Sequence, residues 1–159
     1  MSYENKLEKI DEIQKKIDDF RPLAPQELES LKEYYRIGLT YTSNALEGNS
    51  LTETETKIVI EDGLTIGGKL LSEHFEAVGH SDAYTLLCEL AKKRTITEQN
   101  ILELHRLFYY RIDQKNAGNY RNVKVFISGT DFVPPQPAKV PELMKNFARQ
   151  IPILEKEKH

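Results

Sequence analysis

The chain has 159 residues, of which 39% are hydrophobic and 30% charged, and its formal net charge is -3. This composition is typical of a soluble globular protein. The 22 basic and 25 acidic residues are well mixed, which argues against nucleic acid or an anionic membrane as a partner. A single cysteine excludes an intramolecular disulfide and a cysteine-based zinc cluster, and we predict no metal site. Because the sequence shows no signal peptide and no apolar run of membrane-spanning length, we expect one cytoplasmic domain.

Two helices are predicted in the first third of the chain. Within residues 1–24, apolar side chains recur at spacings of three and four, which predicts an amphipathic helix over about 4–19. Pro25 suits the first position of the next helix, which extends over 25–48. Gly48 can supply the left-handed residue that ends it. The apolar positions of the first helix are Leu7, Ile10, Ile13, Ile17 and Phe20.

Residues 49–117 are predicted to form the core helices. The sequence of Thr52–Glu55 has the form of a capping box, so a short helix begins after Thr52 and ends near Glu61. Ser72 is predicted to cap a long helix, and Thr97 is predicted to cap another.

The pattern changes period in residues 118–137. Val123, Val125 and Ile127 alternate with Lys124, Phe126 and Ser128, and Ser128-Gly129-Thr130 supplies a turn. This alternation predicts one β-hairpin in an otherwise helical protein. The prolines at 134, 135 and 137 cannot donate to a ladder, so the return side cannot be an ordinary central strand.

Residues 138–159 are predicted to hold the last helix and a charged tail. Pro141 opens that helix and Pro152 breaks it. The complete prediction is a single, mainly α domain of six to seven helices with one β-hairpin.

Glu47 is the most informative residue, because it is the only charged side chain from Ile37 to Thr52. A helical segment without charge on any face is normally buried all round, and a lone carboxylate there needs a partner. At a helix C-terminus it also faces the negative end of the macrodipole, at a cost of about 0.3–1 kcal/mol. We therefore predict a functional role for Glu47, the alternative being a simple helix terminus.

The segment from Ser43 to Gly48, SNALEG, resembles the inhibitory helix of the Fic family of protein AMP-transferases. The family pattern is Ser/Thr-x-x-x-Glu-Gly/Asn. Three later stretches resemble the family in the same order, namely 74–80, 117–129 and 133–144. The resemblance therefore extends over about residues 31–147. It implies a Fic-like helical domain in which the hairpin is the flap that docks the target protein.

The catalytic signature of the family, His-Pro-Phe-x-x-Gly-Asn-Gly-Arg, is absent from the sequence. In the family it follows the region matched here, so we expect a domain that is incomplete at its C-terminus. By this resemblance the chain carries no catalytic residue and does not transfer AMP alone. ATP and Mg²⁺ are implied only for the complete family domain.

The resemblance implies two functional sites. The regulatory residues would be Ser43, Glu47 and Gly48, with Glu47 pairing with the signature arginine at the ATP γ-phosphate position and Ser43 steadying that end. The docking site would be the flap, formed by Val123, Lys124, Val125, Phe126, Ile127, Ser128 and Gly129. It would pair with an extended target segment, with Val125 or Ile127 as an apolar clamp.

Two alternatives remain open. The chain could be a catalytically inactive interaction module that acts on a separate Fic catalytic segment or self-associates. It could also be a truncation with no autonomous role. Because missing core helices would leave an apolar surface uncovered, we expect self-association.

The histidines are weaker candidates for function. His74 and His80 are six residues apart, on different faces of a helix, so they do not form a metal pair. His105 lies on an apolar face with Ile101 and Phe108, which predicts a core histidine.

Overall fold

The computed structural model describes residues 3–93 and 96–154, with side chains described for 5–93 and 96–153. Within these ranges the architecture is helical, and none of the helices is long and apolar enough to cross a bilayer. The elements are α1 (Tyr3–Asp18), α2 (Pro25–Leu46), α3 (Glu53–Glu61), α4 (Leu71–Lys93), α5 (Glu98–Tyr109), a 3₁₀ turn (Pro137–Lys139) and α6 (Val140–Leu154). The predicted mainly α fold class is confirmed.

Local capping signals predicted three helix starts correctly. Pro25 opens α2. At α3 the Thr52 hydroxyl accepts the Glu55 N–H at 3.2 Å, while the Glu55 carboxylate accepts the Thr52 N–H at 2.8 Å. Thr97 caps α5 in the same way, its hydroxyl accepting the Asn100 N–H. Each cap satisfies donors that a helix N-terminus leaves without partners.

Two predicted helix boundaries are wrong. Ser72 does not cap α4, because the helix already begins at Leu71 and the Glu73 carboxylate accepts the N–H of Leu70 at 2.8 Å. Pro152 does not break α6, which continues to Leu154. So close to a helix end, a proline removes one backbone hydrogen bond without ending the helix.

Helix α4 lies at the centre of the fold and packs against α2, α3 and α5. The buried apolar cluster is small and consists of Leu51, Val59 and Ala77, with Ile66 and Val78 packed against it. The most extensive contact of α4 is with α5, where the backbones approach closely at Gly79.

The contact between α2 and α4 is polar. Arg36 donates to the Ser81 hydroxyl at 2.9 Å, and the Thr40 hydroxyl lies 2.9 Å from His80 Nδ1. Burial lowers the pKa of His80, so the neutral ring is favoured in this contact. Asn44, one turn after Thr40, is buried, and its Nδ2 has no hydrogen-bond partner in the described part of the chain.

Helix α1 contacts none of the other described helices. Its apolar side chains Ile10, Ile13 and Ile17 are all exposed, as is Phe20 just beyond its end. An isolated helix of this length is marginal in water, because nucleation is costly and tertiary packing normally supplies helical stability. The predicted apolar stripe therefore exists on α1 without a tertiary partner in the described structure, and self-association stays a prediction.

The predicted β-hairpin is not present. Between residues 118 and 136 the structure has no strand, although the predicted turn occurs at Ser128–Gly129. Gly129 has a φ of +79°, which suits a turn. The prolines on the return side remove ladder donors, and no described strand lies alongside to pair with the outgoing side.

Candidate functional site

The end of α2 is shaped by a left-handed glycine. Gly48 has a φ of +96°, its N–H donates to the Ala45 carbonyl at 3.1 Å, and the Asn49 N–H donates to the Asn44 carbonyl at 3.0 Å. These two bonds form a Schellman motif, which satisfies carbonyls that the last helical turn leaves open. The predicted left-handed stop at Gly48 is confirmed, and Glu47 is the C-cap residue.

The expectation that this helix is buried all round is wrong. Only one face of α2 contacts α3 and α4, so Leu39 is 43% exposed and Leu46 is 87% exposed. Glu47 is also exposed, and its carboxylate has no ion pair or hydrogen bond in the described part of the chain. An exposed carboxylate needs no protein partner, because water can solvate its charge.

Ser43 lies one helical turn before Glu47 and is half-buried. No hydrogen bond joins its hydroxyl to the Glu47 carboxylate among the described residues. The expected steadying contact between the two is therefore not seen.

Asn49 fastens the end of α2 to α4. Its Nδ2 donates to the Glu73 carbonyl at 3.0 Å and to the Glu76 carboxylate at 2.8 Å, and its Oδ1 accepts the Leu51 N–H. Sequence reasoning missed this residue. The available signal was an asparagine directly after a left-handed glycine, where its side chain readily bonds to backbone groups.

Glu73 joins the two loops that precede α3 and α4. Its carboxylate accepts the Ser50 N–H at 2.6 Å and the Leu70 N–H at 2.8 Å, and the residue is 8% exposed. These bonds, the one from Ser50 first, hold the pKa of Glu73 below its ordinary value of 4.5. Lys69 adds a bond from its ammonium to the Ser50 carbonyl.

The lowered pKa of Glu73 predicts a pH dependence of stability. A carboxyl whose pKa is lower in the folded state stabilises the fold above its unfolded pKa of about 4.5, and loses that contribution as the pH falls through the folded value. Glu73→Gln should therefore reduce the thermal midpoint at pH 7 and flatten its decline below pH 4.5. Melting curves from pH 7 to pH 3 measure this.

The matched control is Glu142→Gln, because Glu142 is exposed on α6 and has no ion pair among the described residues. Its melting curves should follow those of the unmodified chain. If the two variants decline identically with pH, the Glu73 bonds do not contribute to acid stability.

Two histidines have structural partners. The Ile66 N–H donates to His74 Nε2 at 2.8 Å, so Nδ1 carries the proton and donates to the Leu70 carbonyl. His105 is exposed, which makes the prediction of a core histidine wrong. It stacks on Tyr109 and accepts the Gly118 N–H on Nδ1 at 2.9 Å.

The segment from Ala117 to Arg121 is held against α5 at several points. Besides the bond between Gly118 and His105, the Tyr120 hydroxyl donates to Glu98 at 2.9 Å. Burial, with the Glu98 carboxylate adding to it, raises the pKa of Tyr120 to about 12. Ala117 itself is buried. The segment Ala117–Arg121, which precedes the predicted flap, is therefore fixed to α5, and we call it the base of the loop.

Beyond this base, residues 123–135 form an exposed loop. Val125 is 39% exposed and Phe126 85%, and every one of the predicted flap residues is exposed. In the described structure residues 120–135 make no backbone–backbone hydrogen bond. Backbone donors and acceptors along residues 124–127 are therefore available to an extended partner. The most exposed apolar side chain is Phe126, whereas Val125 and Ile127 were predicted as the clamp.

A cavity of about 510 Å³ lies between α5, the base and α6. His105, Tyr120, Arg121, Val140 and Met144 are among its lining residues. Among the described residues, no group of three His, Cys, Asp or Glu side chains could hold a metal ion.

Comparison with known proteins identifies the family. Residues 95–159 match the Fic/DOC family. The chain is 34% identical over 143 residues to a protein of Nematostella vectensis named protein adenylyltransferase Fic, covering 89% of this chain and 33% of that protein. A protein of the same name from Drosophila grimshawi is 35% identical over 108 residues, covering 67% of this chain and 22% of that protein.

Solved structures agree with the sequence relatives. A Fic domain containing signaling protein from Bacteroides thetaiotaomicron superposes with a TM-score of 0.77 at 26% identity, over 88% of this chain and 54% of that chain. Fic-1 from C. elegans gives a TM-score of 0.69 at 28% identity, over 89% of this chain and 44% of that chain. The chain thus spans about a third of the length of the Nematostella protein and a smaller share of the Drosophila protein. On its ordered motifs, its fold and these relatives, it belongs to the Fic/DOC family.

Proposed function

We propose that this chain is the regulatory and target-docking portion of a Fic-type protein adenylyltransferase. The observation that carries the proposal is the geometry at the end of α2. The Schellman motif and Asn49 fix the backbone around Glu47, while its carboxylate faces solvent without a partner in the described structure. A fixed backbone with an available acid suits a contact with a cation supplied by another segment.

In this proposal Glu47 pairs with the arginine of the catalytic signature and blocks the position of the ATP γ-phosphate. The helix adds no compensating charge, because its last turn contains no basic residue. The negative end of the macrodipole and the Glu47 carboxylate would both favour a guanidinium at this place.

The described residues do not by themselves fit ATP or Mg²⁺. They contain no cluster of three potential metal ligands. In the loop before α4, Lys69 follows Gly68 but is itself followed by Leu70, where a phosphate-binding loop carries Ser or Thr, and its ammonium bonds to the Ser50 carbonyl. No chemical step is therefore assigned to this chain. Its proposed roles are inhibition through Glu47 and docking through the loop.

Docking is supported by the exposed loop that follows Arg121. An extended target segment could add to its free backbone groups, as strands add to exposed edges in other peptide-binding proteins. Phe126 is the most exposed apolar side chain of this loop, so it is the side chain best placed to clamp an apolar target residue.

Glu47→Gly tests the regulatory proposal. We expect the unmodified chain, added to a separate Fic catalytic segment with the His-Pro-Phe signature, to reduce AMP transfer measured with labelled ATP. The Glu47→Gly chain should not reduce transfer, because the carboxylate that pairs with arginine is gone.

The matched control is Asp62→Gly. Asp62 is also an exposed acidic C-cap, at the end of α3, and is followed by the left-handed Gly63. It lies outside the Ser-x-x-x-Glu-Gly pattern, so this variant should inhibit like the unmodified chain. Equal inhibition by the Glu47→Gly chain would contradict the proposal.

A further inference from the structure

Arg121 contacts both ends of the docking loop. Its Nη1 donates to the Val123 carbonyl at 2.8 Å, and its Nη2 donates to the Pro135 carbonyl. The side chain is half-buried and also lines the cavity beside α5. One guanidinium therefore joins the outgoing and the returning sides of residues 123–135.

These two side-chain bonds connect the two sides of the loop, as backbone ladder bonds would connect the two strands of a hairpin. The returning side cannot donate at Pro134 and Pro135, and no backbone–backbone hydrogen bond is present between the two sides. A carbonyl acceptor remains on each side. Arginine suits this position, because its planar group offers several donors in a fixed geometry, whereas a lysine ammonium is a point charge on a flexible stem.

The base of Arg121 is itself fixed. The Gly118 N–H donates to His105 of α5, and the Tyr120 hydroxyl donates to Glu98, so the segment just before Arg121 is attached to that helix. Through the guanidinium, both ends of the loop are consequently held in place relative to α5. Between those ends the peptide groups of residues 124–127 make no hydrogen bond in the described structure and are free for a partner.

We infer that Arg121 is the positioning residue of the docking loop: it closes residues 123–135 and presents residues 124–127 as a preformed edge for a target segment. This inference rests on the proposed docking function for its purpose, although the closure can be measured without any partner. A preformed edge binds more tightly, because the loop is already ordered before binding.

Backbone ¹⁵N relaxation of residues 124–133 tests the closure. In the unmodified chain we expect order parameters near the rigid value of about 0.85, and in Arg121→Ala values below about 0.6. The order parameters of Arg121→Lys should lie between these two values, because a single ammonium group replaces the planar guanidinium. Arg149→Ala is the control, since Arg149 is exposed on α6 and has no hydrogen bond among the described residues.

A synthetic peptide of alternating valine and threonine, about ten residues long, tests the consequence. We expect Arg121→Ala to weaken its binding about tenfold, while the thermal midpoint of the helices stays unchanged. If the peptide does not bind the unmodified chain, the docking proposal fails while the relaxation data still decide the closure. A loop that is already mobile in the unmodified chain, or that stays as rigid in Arg121→Ala as in the unmodified chain, would overturn the inference.

Discussion

Replacing Gly79 with alanine should lower the free energy of unfolding by about 3 kcal/mol. A Cβ at this position of α4 would lie 2.3 Å from the Phe108 carbonyl oxygen and 3.0 Å from its carbonyl carbon. These are backbone atoms of α5, so no rotamer change relieves the clash and the two helices must separate. This is also the most extensive helix contact of the fold. For a chain of this size the loss corresponds to a fall in thermal midpoint of roughly 6–12 °C.

Gly38→Ala is the control for this prediction. Gly38 also lies inside a long helix, α2, but a Cβ there would meet nothing within 4 Å. Alanine is the better helix former, so this variant should be more stable by about 0.5–1 kcal/mol. Urea unfolding of both variants measures the difference. A Gly79→Ala chain as stable as the unmodified one would show that α4 and α5 are not closely packed.

Gly118→Ala should destabilise the chain by about 2–4 kcal/mol and also weaken peptide docking. Gly118 has a φ of +72°, a left-handed conformation that costs alanine about 1–2 kcal/mol. An added Cβ would also lie 2.9 Å from the Arg106 Cβ and 3.3 Å from the Leu102 carbonyl oxygen. The segment would have to move off α5, and Arg121 would move with it.

Gly129→Ala separates these two causes. Gly129 is also left-handed, at a φ of +79°, but its Cβ would meet nothing within 4 Å. Gly129→Ala should therefore lower the free energy of unfolding by only about 1 kcal/mol, from the left-handed backbone, and leave the contact of residues 117–121 with α5 intact. Thermal unfolding and binding of the valine–threonine peptide are measured for both. Equal effects of the two substitutions would mean that the contact with α5 is unimportant.

The ends of several helices could be predicted from residues close together in the sequence. The caps at Thr52 and Thr97 and the left-handed stop at Gly48 are decided by hydrogen bonds within one helical turn, so their residue types predict them. Glu47 was identified from the sequence in the same way, because it is the only charged residue between Ile37 and Thr52.

Burial was predicted less well, since it depends on which face of a helix meets another helix. The uncharged stretch around Glu47 was predicted to be enclosed, yet only one face of α2 has partners. Conversely, Glu73 is polar and buried, because its carboxylate accepts the N–H of nearby Leu70 and also the N–H of Ser50 from the distant loop before α3. No local pattern predicts the contact with Ser50.

The sequence alone determined the helical elements, their caps and the ordered Fic motifs, because each depends on side chains within a few positions of one another. Only the tertiary structure showed that the predicted hairpin is an unpaired loop whose two ends meet at Arg121, and that the backbones of α4 and α5 come together at Gly79. Both depend on residues far apart in the chain, whose approach is set by how α4, α5 and the loop pack together.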